Sequence, residues 1–159
     1  FCYDRKVSRW DNAPDEKYFC ELFRVSKKCI ICGGNYFNLP PSRNFIIYRK
    51  TNIPETFNMA MCEYLWTNID GNPKVFDYFS LPDNERFHPT QKPISLYKFL
   101  LSRYAKPGWK ILDTHFGSGS IAVACNEMGF NLTASEIDED YFNAACKRIK
   151  EAIKQYEKA

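Results

Sequence analysis

The feature that most constrains the fold of this chain is an apolar run that ends in an acid and is followed by two closely spaced glycines. Residues 111–113 read Ile-Leu-Asp, and Gly117 and Gly119 come soon after them. The apolar run predicts a strand, and the glycines allow a sharp turn whose backbone can approach a ligand closely. Residues 120–128 are mostly small or apolar and precede Gly129, so we expect a helix that ends there. This order of strand, turn and helix indicates an α/β protein.

A second acid follows this turn at a characteristic distance. Residues 132–137 predict the next strand, and Glu136 lies 23 residues after Asp113. An acid at about 20 residues from a glycine turn is suited to bind the hydroxyls of a ribose. The turn lacks the third glycine of the nicotinamide-binding Gly-x-Gly-x-x-Gly pattern, which fits a pyrophosphate. The spacing therefore favours a nucleoside cofactor without phosphates, such as S-adenosylmethionine; a βαβ unit without a ligand is the alternative.

A hexapeptide upstream of this unit points to one family. Residues 88–93 read His-Pro-Thr-Gln-Lys-Pro and precede a predicted helix. Their order with that helix and with a strand ending in Asp-x-x-Phe-Gly-Ser-Gly resembles the DNA methyltransferases that methylate adenine N6 or cytosine N4. Within that family the chain is similar to the permuted class, whose cofactor motifs come last. Segments 32–37 and 62–67 also resemble the family, especially its phage and prophage members, so the resemblance covers most of the chain.

The resemblance implies the fold and its organisation. We expect an α/β fold with the Rossmann-like sheet of S-adenosylmethionine-dependent methyltransferases, helices on both faces, and one domain over residues 1–159. Residues 1–67 would form the half after the catalytic motif, 68–87 a linker or loop, and 88–159 the cofactor-binding half.

The resemblance also implies S-adenosylmethionine as cofactor and a set of residues that bind it. Asp113 would bind the methionine amino group, Glu136 the ribose hydroxyls, and Ile137 would pack on the adenine. The remaining members lie in the turn and in the hexapeptide: Phe116, Gly117, Ser118, Gly119, His88, Thr90 and Lys92. Two alternatives stay open, since Asp113 could cap the turn and Glu136 could be a solvated strand end. We interpret His115 as a local hydrogen-bonding residue rather than a base.

The catalytic motif of the family is an Asp, Asn or Ser followed by two prolines and an aromatic residue, and these 159 residues lack it. Residues 38–42 read Asn-Leu-Pro-Pro-Ser, with a leucine inserted and a serine in place of the aromatic residue, so we interpret them as a turn. The resemblance places the catalytic motif upstream of residue 1. We therefore assign no catalytic residue and expect a fragment without that motif; a catalytically inactive remnant that binds cofactor or DNA is the alternative.

Double-stranded DNA is the partner that the resemblance implies, with adenine N6 as the target. The candidate DNA contacts are basic residues: Arg5, Lys6, Arg9, Arg43 and Arg49. A charged strand end is the alternative for the last two. A net charge of +3 permits nucleic-acid binding without requiring it. Carbon-5 cytosine methylation is disfavoured, because the chain has no Pro-Cys dipeptide. No apolar run approaches the roughly 20 residues of a membrane span, so we expect a cytoplasmic protein.

Periodicity predicts the remaining elements. Asn12 is expected to cap a helix with Pro14 in its first turn, and strands are expected at 27–32, 44–49 and 59–67. Cys29 and Cys32 would then lie on opposite faces of the first strand, which disfavours a disulfide or a metal site. Residues 138–159 predict a terminal helix. Its expected buried side comprises Phe142, Ala145, Ile149, Ile153 and Tyr156, and its solvated side Lys147, Arg148, Lys150 and Lys154.

Overall fold

The computed structural model describes residues 12–79 and 86–156, and its contacts divide the chain into two compact units. The amino-terminal unit spans 1–81 and the carboxy-terminal unit spans 82–159. Each unit contains helices and strands, so the α/β class is confirmed. One domain over 1–159 stays a prediction.

The first helix among the described residues of the amino-terminal unit is α1, Glu16–Val25. Asp15 caps this helix by accepting a hydrogen bond from the backbone N–H of Tyr18 at 2.9 Å. The predicted cap at Asn12 is wrong, because it would place a helical residue directly before Pro14. The proline ring disfavours the helical conformation at the residue that precedes it. Phe19 is the buried residue of the helix.

In the described part of the amino-terminal unit, four strands form one sheet; in chain order they are β1 (Ile30–Cys32), β2 (Phe45–Lys50), β3 (Cys62–Thr67) and β4 (Lys74–Tyr78). Their order across the sheet is β1-β3-β2-β4. β3 runs antiparallel to β1 and β2, whereas β4 runs parallel to β2, with Ile46 opposite Lys74. β4 corrects the prediction that 68–87 is a linker or loop. The strand was missed because it is short, follows a glycine and a proline, and pairs with residues distant in sequence.

The first predicted strand is also corrected. Only residues 30–32 form β1, and they are half-buried rather than buried. Cys29 lies before the strand, where it is buried and its backbone N–H donates to Asn68 Oδ1 at 2.8 Å. The opposite-face argument therefore does not apply to Cys29 and Cys32, which are both free thiols. The Asn-Leu-Pro-Pro-Ser segment at 38–42 has no regular structure, and the carbonyl of Pro40 accepts a hydrogen bond from the Trp66 indole at 2.8 Å.

The described part of the carboxy-terminal unit contains three helices and a parallel pair of strands. Its elements are α2 (Ile94–Tyr104), β5 (Lys110–Asp113), α3 (Ser120–Met128), β6 (Asn131–Ala134) and α4 (Glu139–Tyr156). The predicted helix over 120–128 is confirmed with these bounds, and Gly129 ends it in a left-handed conformation with φ 71°. β6 ends three residues earlier than predicted. The strand ends at Ala134. Beyond it, the carboxylate of Glu136 accepts hydrogen bonds from the backbone N–H groups of Ile137 and Asp138, so these groups do not extend the strand pairing.

Helices α2, α3 and α4 form the core of the carboxy-terminal unit together with the strand pair. Leu101, Ile121, Ala124 and Ala145 are buried in it. Two of the residues predicted to be buried on α4 are not, since Phe142 is 42% exposed and Tyr156 is 57% exposed. Among the described residues, no helix has both the length and the apolar character to cross a membrane.

Candidate functional site

The predicted strands β5 and β6 bring the two acids to one edge of the sheet. The strands are parallel, with Asp113 opposite Ala134 at their carboxyl ends. Beyond that pair the backbone of Ser135 continues the contact, since its N–H donates to Asp113 O at 3.0 Å and its carbonyl accepts from the N–H of Phe116 at 2.9 Å. Ligands of open α/β sheets bind at such carboxyl ends. The loops that follow the two strands therefore define the candidate site.

Glu136 is bonded directly to the glycine turn. Its Oε2 accepts from the backbone N–H of Gly117 at 2.7 Å, and its Oε1 accepts from those of Ile137 at 2.9 Å and Asp138 at 3.1 Å. The carboxylate thus accepts hydrogen bonds from three backbone N–H groups, on both sides of the site. The open alternative of a solvated strand end does not describe this side chain. Ile137, its neighbour, is 87% exposed and presents an apolar surface beside it.

Both glycines of the turn have a positive φ and close neighbours. Gly117 has φ 53°, and a Cβ there would lie 3.2 Å from Cε1 of His88. Gly119 has φ 71°, and a Cβ there would lie 3.0 Å from Cδ1 of Ile149. Left-handed backbone and tight packing both exclude larger residues. Contacts within the protein therefore account for these glycines, whether or not a ligand also approaches them.

Asp113 stands at the start of the turn. Its Oδ1 accepts from the backbone N–H of His115 at 3.0 Å. Asp113 therefore makes the turn-capping hydrogen bond that was the alternative to its role as a ligand. Burial raises the pKa of Asp113, and the nearby charge of Glu136 also raises it, while the His115 hydrogen bond and the charge of Lys92 lower it. A carboxylate in this position is more difficult to ionise than an exposed one. Any cation that binds next to it compensates for that penalty.

The hexapeptide at 88–93 packs against the same turn through His88. His88 is buried, its ring contacts the position of Gly117, and it packs edge-on against Tyr141 with ring centroids 4.5 Å apart. Its Nδ1 accepts from the backbone N–H of Thr90 at 3.3 Å, which assigns the ring proton to Nε2. Burial lowers the pKa of His88, which favours the neutral imidazole. His88 therefore supports the glycine turn by packing between it and Tyr141.

Arg148 and Ser120 also hold this region, and the sequence reasoning missed both. Arg148 was expected on the solvated side of α4, but its Nη1 donates to Ser118 O at 2.8 Å and to Ser120 Oγ at 2.9 Å. Ser120 Oγ in turn donates to the carbonyl of Lys92 at 2.7 Å. The spacing contained a signal, because Arg148 lies three residues after Ala145 and so shares its helical face. His115, by contrast, contacts Thr114 Oγ1 at 3.1 Å, in agreement with a local hydrogen-bonding residue.

Only two of the five candidate DNA contacts, Arg43 and Arg49, lie within the described residues. Arg5, Lys6 and Arg9 lie outside them. Arg43 is exposed and its Nη2 donates to Asn72 Oδ1 at 3.2 Å. Arg49 forms a bidentate ion pair with Asp77, with both N···O distances at 2.7 Å. The β2–β4 register places these two residues opposite each other, so Arg49 has a partner within its own sheet.

A family model described as DNA methylase, which represents the N6/N4 amino-methyltransferases, matches residues 46–147 of this chain. That match covers well over half of the sequence. The chain belongs to this DNA methylase family. The family resemblance read from the hexapeptide and the glycine turn is therefore confirmed, while membership of the permuted class and of phage-like members stays a prediction.

Two curated relatives of this DNA methylase chain show how much of a longer protein it matches. It is 26% identical over 134 residues to the type II methyltransferase M.HinfI of Haemophilus influenzae, which covers 84% of the chain and 34% of that protein. It is 34% identical over 64 residues to the putative methylase YubD of Escherichia coli K12, which covers 40% of the chain and 28% of that protein. The chain thus spans about a third of the length of these relatives.

Solved structures share the fold of the chain. The M1.HpyAVI–SAM complex matches with a TM-score of 0.56 and 20% identity, covering 92% of the chain and 71% of that structure. The cytosine-N4-specific PvuII DNA methyltransferase matches with a TM-score of 0.59 and 11% identity, covering 86% and 74%. These likenesses confirm the Rossmann-like methyltransferase fold.

Proposed function

We propose that this chain forms the S-adenosylmethionine-binding part of a DNA methyltransferase that acts on adenine N6. The observation that carries the proposal is the hydrogen bond from the Gly117 N–H to Glu136. It joins the acid after β6 to the turn after β5, at the sheet edge where α/β proteins bind nucleosides.

The residues present fit the nucleoside part of this cofactor. A carboxylate offers about four lone-pair sites, and the backbone uses three of those of Glu136. One ribose hydroxyl can therefore donate to Glu136 without displacing a backbone partner. The exposed side chain of Ile137 is adjacent and supplies an apolar surface for the adenine ring.

The charges fit the methionine part. The methionine ammonium would compensate the ionisation penalty that burial imposes on Asp113. Lys92, whose positive charge acts on both Asp113 and His88, would pair with the methionine carboxylate. The contacts would be completed by Thr90 and by the turn residues Phe116, Gly117, Ser118 and Gly119. His88 would act indirectly, through its contact with Gly117.

The cofactor supplies a methyl group on a positively charged sulfur. The task of this chain is to hold that group in line with the acceptor amine, since correct orientation can contribute several kcal/mol to lowering the barrier. The base has to leave the helical stack to reach it. Because these 159 residues contain no Asp-Pro-Pro-Tyr motif, we propose that another segment supplies the groups that bind the amine. Arg5, Lys6, Arg9, Arg43 and Arg49 are proposed to contact the DNA.

Methyl transfer and its product test the proposal. Full-length protein is incubated with labelled S-adenosylmethionine and either duplex DNA or RNA, and the digested nucleosides are separated by mass spectrometry. We expect N6-methyladenine; N4-methylcytosine would reassign the base, and labelled RNA alone would overturn the DNA substrate. Cofactor binding by calorimetry without any transfer would favour the alternative of an inactive cofactor-binding remnant.

A further inference from the structure

A partly buried chain of hydrogen bonds connects three segments of the carboxy-terminal unit. Arg148 on α4 donates from Nη1 to the carbonyl of Ser118 and to the hydroxyl of Ser120. The hydroxyl of Ser120 then donates to the carbonyl of Lys92, at the end of the hexapeptide. Ser118 and Ser120 are buried, and their hydroxyls lie 3.1 Å apart. The terminal helix, the glycine turn and the hexapeptide are therefore joined through one guanidinium and one hydroxyl.

The glycine turn and the hexapeptide both contribute to the proposed site. The carbonyl of Ser118 belongs to the turn that binds Glu136, and the carbonyl of Lys92 belongs to the residue proposed to bind the methionine carboxylate. Hydrogen bonds from a charged donor are about twice as strong as neutral ones, and a buried acceptor that loses its donor is destabilised. Removing Arg148 would thus release the turn and, through Ser120, the backbone at Lys92.

We infer that Arg148 and Ser120 are positioning residues that fix the glycine turn relative to Lys92 for cofactor binding. The inference rests on the proposed function of the site. Neither residue needs to contact the cofactor, because the effect is transmitted through the backbone carbonyls of Ser118 and Lys92. The role of Arg148 depends on its two donor contacts from one nitrogen and not on its charge alone.

Cofactor titration of a small set of variants tests this role in the full-length protein. The variants are Arg148→Met, Arg148→Lys, Ser120→Ala, the double variant Arg148→Met/Ser120→Ala, and Lys147→Met as the matched control on the exposed face of α4. We expect Arg148→Met to weaken S-adenosylmethionine binding about tenfold. Arg148→Lys should partly restore affinity, and Lys147→Met should stay within about twofold of wild type. The double variant should lose less than the two single losses combined, because both act through one chain of contacts.

Amide hydrogen exchange of the cofactor-free protein supplies a second readout. In Arg148→Met, exchange should rise in both 88–93 and 116–120, and in Ser120→Ala it should rise at least in 88–93. Faster exchange confined to 116–120 would overturn the link to Lys92. A lower melting temperature with wild-type affinity, measured well below that temperature, would reduce Arg148 to a structural residue. If wild-type protein binds no S-adenosylmethionine, the proposed function itself fails; if it binds and Arg148→Met binds equally well, only the positioning role fails.

Discussion

Glu136 accepts a hydrogen bond from the backbone N–H of Gly117 at 2.7 Å, across 19 residues of sequence. The same carboxylate accepts from the N–H groups of Ile137 and Asp138. One side chain therefore fixes the end of β6 against the turn that follows β5. This contact makes Glu136 both a structural acceptor and the proposed ribose ligand, and the two roles can be separated by experiment.

Glu136→Gln should destabilise the carboxy-terminal unit by about 1–3 kcal/mol. The amide has one acceptor oxygen and brings an NH₂ donor toward three backbone donors, so at least one of them loses its partner. Chemical denaturation measures the change. Glu151→Gln, which removes the same charge from an exposed position of α4, is the control and should stay near wild type. Equal stability of the two variants would show that the bonds to Glu136 contribute little.

Asp113→Asn should weaken S-adenosylmethionine binding by about 10- to 100-fold, because the amide cannot pair with the methionine ammonium. The same change should raise the melting temperature at neutral pH. Burial raises the pKa of Asp113, so its ionised form destabilises the fold there, and Asn removes the charge while its Oδ1 can still accept from His115. Calorimetry and thermal melts measure the two effects, with Glu151→Gln again as control. Unchanged affinity would rule out the ammonium contact.

Cofactor affinity should fall as the pH is lowered through the raised pKa of Asp113. Only the ionised carboxylate attracts the ammonium, and because the pKa is raised, protonation occurs at a higher pH than for an ordinary aspartate. The stability contribution of this group has the opposite sense: it is present at low pH and lost as the pH rises through the raised pKa. Titrations between about pH 7 and pH 4 test this. If the cofactor affinity of Asp113→Asn falls with pH as it does in the wild type, a group other than Asp113 causes the pH dependence.

Gly119→Ala should cost more stability than Gly129→Ala. Both glycines have φ 71°, so the backbone strain of about 1–2 kcal/mol is shared. A Cβ at Gly119 would also meet Ile149 at 3.0 Å and Ala145 at 3.2 Å, whereas nothing lies within 4 Å of one at Gly129. The difference in the free energy of unfolding should be about 1–3 kcal/mol, the usual range for overpacking. Equal losses would mean that α4 moves aside at little expense.

Arg43→Ala should weaken DNA binding and lower the slope of log affinity against log salt by about one. Arg43 is exposed and bonded to a neutral amide, so its charge is available to a phosphate. Arg49→Ala should have a smaller effect, because Asp77 already pairs with that guanidinium. Fluorescence anisotropy at several salt concentrations measures both. A larger loss for Arg49 than for Arg43 would mean that DNA displaces Asp77.

Local patterns predicted much of the carboxy-terminal unit. Residues 120–128 with Gly129 specified α3 because small residues favour a helix and a left-handed glycine ends it. The same reasoning failed for β4, whose five residues are held by a parallel partner nearly 30 positions away in the β2–β4 register. It also failed for Phe142 and Arg148 on α4. Helical periodicity defines a face, but it does not state which residues of that face meet another element.

The sequence by itself determined the family, the order of strand, glycine turn and helix, and the acids that end the two parallel strands. These features depend on local backbone preferences and on residue types at fixed spacings. Only the tertiary structure decided that Glu136 bonds to Gly117, that His88 supports the turn, and that Arg148 joins it to Lys92. Such contacts join segments 19 or more residues apart. Their partners are selected by packing and by the need to satisfy buried polar groups, which no local pattern records.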